Sequence, residues 1–195
     1  ISLGLVGSEM CIRDRYYGAK DFENLRKSLA HSYRLTAFIA AGVLILSQSF
    51  ASLVLTGLHT PSNIIGMSLL YLRIIFCGIP ATAAYNMFAS ALRAMGNSKT
   101  PLTAMIIASV LNVSLDILFV AGFGWGVAGA AIATVIAQSF SAVYCFLILR
   151  RIDIVHLTRA DFMPASGMNA RLMKLGIPVV FQNIIIGVGG LVVQY

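Results

Sequence analysis

Residues 102–121 read LTAMIIASVLNVSLDILFVA, twenty residues of nearly unbroken hydrocarbon that carry one carboxylate, Asp116. At about 1.5 Å rise per residue, about 20 apolar residues cross the hydrocarbon core of a bilayer as an α-helix. The stretch therefore predicts a transmembrane helix with an aspartate inside the membrane. An acid there costs about 2.5–3.5 kcal/mol on insertion scales, so it faces a bundle interior or a wet cavity and has a task. At about 100° per residue, Ser109, Asn112 and Asp116 fall within an arc of about 60°, a polar stripe on an apolar rod.

Composition agrees with that reading. Of 195 residues, 58% are hydrophobic and 11% charged, and the mean hydropathy is +0.87. That is too apolar for a water-soluble domain and predicts an all-α integral membrane protein. The net charge of +7 does not point to nucleic acid, because the basic residues sit in short clusters between apolar runs and serve as topology signals. Cys77 and Cys145 lie within apolar runs and Cys11 near the start. They have no paired spacing and no nearby metal-ligand histidines, so neither a disulfide framework nor a zinc site is read.

Working outward from residues 102–121, four further runs are long enough to span: 35–56, 67–92, 127–149 and 172–195. The second contains Arg73, which snorkels toward the near interface, and Pro80, which should kink it. Residues 16–34 are polar and helical in pattern, and 150–171 form a basic linker. Residues 122–126 make a tight uncharged loop with one interfacial tryptophan, Trp125. Gly126, Gly129, Ala130 and Ala133 then give the next helix a small-residue face for close approach. Residues 1–15 do not match the rest of the chain and resemble translated sequencing-adapter read-through, so they are set aside as a non-native leader. The chain is expected to be cut short at both ends.

Lysines and arginines fall in alternate connections, within 16–34, 93–101 and 150–174, and are absent from 57–66 and 122–126. By the positive-inside rule the basic set is cytoplasmic. On that topology Asp116 and Thr134 are expected at a similar height on the outer side. Thr134, Gln138, Ser141 and Cys145 form a second stripe, so two neighbouring helices can turn polar faces toward one cavity. Asn86 and Gln182, on other spans, either line that cavity or glue helices together. Serine and threonine in such helices more often bond backbone carbonyls, at about 0.6 kcal/mol per interhelical contact. Asp116 itself has the alternative of a structural acid bonded to a neighbour.

Several stretches resemble one family. Tyr17-Gly18-Ala19-Lys20-Asp21, Tyr71-Leu72-Arg73-Ile74, Tyr85-Asn86 with Leu92-Arg93-Ala94-Met95-Gly96-Asn97-Ser98-Lys99-Thr100-Pro101, Asn112-Val113-Ser114-Leu115-Asp116 and Gly126-Val127-Ala128-Gly129-Ala130-Ala131-Ile132-Ala133-Thr134 look like multidrug and toxic compound extrusion transporters of prokaryotic type. The resemblance implies a twelve-helix, two-lobe transporter of which this chain holds helices three to seven. Residues 16–149 would belong to the first lobe, 150–171 to the linker between lobes and 172–195 to the first helix of the second. It implies a multi-pass protein of the bacterial inner or plasma membrane, a monomer when full length. Its partners would be the lipid bilayer and small organic substrates.

The same resemblance implies a site. Asn112, Asp116 and Thr134 match ion-coupling positions of the family, with Ser109, Asn86, Gln138 and Gln182 as candidate cavity-lining residues. The acid that the family carries on its first helix has no counterpart here. No organic cofactor is expected. The coupling ion is a proton or a sodium ion, and the sequence leaves the two open. The expected function is export of amphipathic or cationic organic compounds by antiport. The alternative is a lipid-linked oligosaccharide flippase, which would want several cationic residues in its cavity, whereas only Arg73 lies well inside a helix. An enzyme is not expected, since intramembrane aspartyl chemistry needs two carboxylates sharing a site and only one acid lies within an expected span.

Overall fold

The structure, a computed structural model, describes residues 16–57 and 61–152. The leader, most of the linker, and the expected span 172–195 with Gln182 lie outside the described residues. What is described is all helix, in the order α1 (Phe22–Gly57), α2 (Ile65–Cys77), α3 (Ile79–Ala94), α4 (Lys99–Asp116), a π-helical segment (Ile117–Gly122) and α5 (Gly126–Arg150). Four stretches are long and apolar enough to cross a membrane, α2 and α3 counting together as one.

The polar stretch before residue 35 does not stand apart from the first span. It continues into it as one helix of 36 residues, because nothing between Phe22 and Gly57 breaks the hydrogen-bond ladder. Asp21 caps that helix: its Oδ1 accepts from the Asn24 backbone N–H at 3.2 Å and its Oδ2 from the Asn24 amide at 2.7 Å. These bonds hold the Asp21 carboxyl below the usual aspartate value.

Pro80 interrupts the second span as expected, and the break falls just before it. Helix α2 ends at Cys77, Gly78 closes a tighter turn with its N–H on Ile75 O at 2.9 Å, and α3 restarts at Ile79 with the proline in its first turn. A side chain at Gly78 would meet Val135 Cγ2 at 3.0 Å and Gln138 Oε1 at 3.3 Å. The break is thus pressed directly against α5.

Short connections make successive spans antiparallel, so the arginines and lysines flanking α1, α3, α4 and α5 gather at one end. Packing is densest there. Leu25 and Leu29 of α1, Met87 and Leu92 of α3, Ala104 of α4, and Cys145 and Leu149 of α5 form the buried core. The outward faces carry Phe38, Leu53, Val110 and Ile117, each more than 60% exposed. Such surfaces belong against lipid, where burying them costs nothing and the helices keep their backbone groups satisfied. The most extensive helix contacts run between α4 and α5 and between α3 and α5, so α5 is the central post of the bundle.

Candidate functional site

At mid-height, α3, α4 and α5 part to form an open-sided cavity of about 420 Å³, a size suited to a drug-like molecule. Each helix contributes a stripe at helical spacing. From α4 come Met105, Ser109 and Asn112, and from α5 come Thr134, Gln138 and Ser141. Helix α3 supplies Thr82, Tyr85 and Asn86. Of the candidates singled out in the sequence, Asn86, Ser109, Asn112, Thr134 and Gln138 are brought together here. Among the described residues, all that line the cavity are uncharged.

The polar groups are held by specific bonds. Thr134 Oγ1 donates to Ala130 O at 3.0 Å, the usual refuge of a helix hydroxyl, and its oxygen receives the Asn112 Nδ2 amide at 3.4 Å. That second bond is long, but it joins α4 to α5 across the head of the cavity. One turn nearer the basic end on α5, the Thr82 hydroxyl lies 2.6 Å from Gln138 Oε1 and 3.2 Å from Gly78 O. Tyr85 donates to Pro101 O at 3.2 Å and Ser141 to Ala137 O at 3.2 Å, which ties both hydroxyls to backbone.

Asp116 is not in the cavity wall. It stands at the junction where α4 ends and the π-helical turn begins, one turn past Asn112. Its Oδ1 is buried and has no hydrogen-bond partner among the described residues. Thr134 bonds Asn112, and the neighbouring contact runs between Gly129 and Phe119, where a Cβ on the glycine would sit 3.0 Å from that of the phenylalanine. This register places Thr134 level with Asn112, about 6 Å toward the basic end from Asp116 at about 1.5 Å per residue. The similar height expected for Asp116 and Thr134 is corrected to an offset of about one helical turn. Helix α4 begins at Lys99 rather than at 102, and the π turn shortens its far end, so the span midpoint shifts.

Thr82 and the π-helical turn were not anticipated. The first had a signal, since Thr82 and Asn86 are four apart and share a face with Tyr85. The second had none that propensity would show. An insertion of this kind, marked by the Phe123 N–H on Leu118 O at 2.9 Å, is stabilised by tertiary partners: Phe119 stacks on Trp125 with ring centroids 5.2 Å apart and on Phe123 at 6.1 Å.

The MatE family model matches residues 11–118, more than half of the chain. The chain belongs to the MatE family. A curated MatE relative, the "Probable multidrug resistance protein YpnP" of Bacillus subtilis, is 32% identical over 184 residues, covering 94% of this chain and 41% of its own length. Two solved structures share the MatE fold at 24% identity. One is titled the inward-facing conformation of a multidrug resistance MATE family transporter of the MOP superfamily (TM-score 0.85, covering 91% of this chain and 41% of that one). The other is titled the outward-facing conformation of such a transporter (TM-score 0.86, 96% and 42%). The chain spans about two fifths of the length of the relatives it matches. It is a multi-pass membrane protein.

Proposed function

We propose that this chain forms the ion-coupling part of a secondary active efflux transporter that exports amphipathic or cationic organic compounds in exchange for protons or sodium ions. The observation that carries this reading is the pairing of two features on one helix. Asn112 meets Thr134 at the head of a drug-sized cavity, and one turn beyond it Asp116 holds a buried oxygen with no partner among the described residues. A buried unpaired carboxylate oxygen is costly, and a proton or a small hard cation is what removes that cost. Asp116 then acts as the exchangeable charge, while Asn112 and Thr134 supply neutral oxygens beside it. The cavity takes the organic substrate.

Similar likeness to inward-facing and outward-facing relatives supports a lobe that keeps its internal packing while access alternates around it. The relatives carry transporter names, which supports transport rather than catalysis. The wall formed by the described residues carries no charge, so it lends no support to a flippase of pyrophosphate-linked sugars, which would call for arginine or lysine facing inward.

The test uses the full-length gene product in sealed vesicles. Asp116→Asn retains size and hydrogen-bonding capacity but cannot exchange a proton or neutralise a cation. It should bind substrate and lose gradient-driven export. Asn112→Ala and Thr134→Ala should shift the pH or sodium dependence and keep partial activity. Wild-type export by Asp116→Asn at matched expression, across pH and sodium concentration, would leave Asp116 as a packing acid and end the coupling assignment.

A further inference from the structure

Two levels of the cavity, one helical turn apart, present amides in opposite senses, and hydroxyl protons decide which. At the head, the Thr134 proton goes to Ala130 O at 3.0 Å, so toward Asn112 its oxygen only accepts, and Asn112 turns Nδ2 to it at 3.4 Å. The Oδ1 of Asn112, a residue of the cavity lining, is what remains for a ligand. One turn nearer the basic end, the Thr82 hydroxyl has a single proton and two acceptors in reach. Its separation from the Gln138 amide, 2.6 Å, fits an O–H···O bond and is shorter than the about 2.7–3.2 Å of N–H···O. Thr82 therefore donates to Gln138 Oε1, and the two Nε2 hydrogens of Gln138 are left for the cavity. Gly78 makes room for this, since any Cβ there would sit 3.3 Å from the same Oε1.

We propose that Thr82 is a positioning residue that fixes the Gln138 amide with its N–H groups toward the ligand, so that the cavity prefers organic cations bearing a hydrogen-bond acceptor oxygen. The inference rests on the reading of this cavity as the substrate site. The cationic end of such a ligand lies toward Asn112 Oδ1 and Asp116. Its acceptor oxygen reaches Gln138, one helical turn from Thr134, which sets a separation of about 6 Å. Tyr85 and Met105, nearer the basic end than Gln138, supply apolar and aromatic wall. Thr82 itself need not touch the ligand. It acts by denying Gln138 the flipped orientation, in which a carbonyl oxygen would face the cavity instead.

The probes are two triphenylphosphonium cations: one with a phenyl ketone three methylenes from phosphorus, and its twin with the ketone replaced by a methylene. Their affinities are measured on the purified full-length gene product in nanodiscs, and the readout is the ratio of the two. Wild type should favour the ketone by about fivefold, the factor that a hydrogen bond of about 1 kcal/mol represents. Thr82→Val, equal in shape but without a donor, should bring the ratio to about one, as should Gln138→Leu. Thr82→Ser, which restores the hydroxyl, should recover the preference, and it separates loss of the proton from loss of the fold. An undiminished ketone preference in Thr82→Val would overturn the positioning role, as would failure of Thr82→Ser to recover it. Equal wild-type affinity for both probes would overturn the inference alone. Failure of wild type to bind either cation would overturn the substrate reading of the cavity and this inference with it.

Discussion

Gly129 sets how close α5 comes to the π-helical turn, and replacing it tests that contact directly. An alanine Cβ there would lie 3.0 Å from Phe119 Cβ, 3.1 Å from Trp125 Cβ and 3.2 Å from the Phe119 carbonyl carbon. None of these is the free end of a flexible side chain, so relief requires a backbone shift. Overpacking of this kind costs about 1–3 kcal/mol, while alanine regains about 1 kcal/mol of helix propensity over glycine. The net expectation for Gly129→Ala is destabilisation by about 1 kcal/mol. Gly42, in the interior of α1, is the control: a Cβ added there meets no atom within 4 Å, so Gly42→Ala should stabilise by about 0.5–1 kcal/mol. Thermal unfolding of the full-length gene product in detergent should therefore move in opposite directions for the two variants. Hydrogen exchange should locate the loosening in Gly129→Ala to residues 117–125. If Gly129→Ala is as stable as Gly42→Ala, the close approach and the packing that holds the π turn are both wrong.

Three further outcomes are expected. Leu92 is fully buried in the core at the basic end, so Leu92→Ala should cost about 2–5 kcal/mol, read as lost thermal stability, whereas Leu53→Ala on the exposed face should cost far less. The Asp21 cap works through a carboxyl held below its usual value of 3.8. Its contribution is present at neutral pH and fades as pH falls below that value, and Asp21→Asn should remove the pH dependence from hydrogen exchange at the start of α1. Cysteines placed in 57–66 should be labelled by membrane-impermeant maleimide from outside intact cells and those in 150–171 should not; the reverse pattern would invert the topology.

Much of this architecture was legible before any coordinates. Hydropathy summed over about 20 residues is a local quantity, and it located three of the spans to within a few residues, and the end of a fourth, because water-free surroundings admit hardly any other backbone form. Helical periodicity is equally local, so Ser109 with Asn112, and Thr134 with Gln138, were placed on shared faces without knowing what those faces met. Pro80 announced its kink for the same reason. What the chain order does not carry is how one helix slides and turns against another. The contact of Thr82 with Gln138 joins residues 56 apart in sequence, and the register of Asn112 with Thr134 depends on Gly129 fitting under Phe119. Each is decided by which side chains interlock across an interface. The π turn after Asp116 belongs to that class, because its irregular hydrogen bonds are held by the stack of Phe119, Phe123 and Trp125 rather than by any preference of residues 117–122 themselves. Sequence alone determined that an acid lies in the membrane on a polar stripe. Only the packing of α4 on α5 decided that this acid stands a turn beyond the cavity, with an oxygen that has no partner among the described residues.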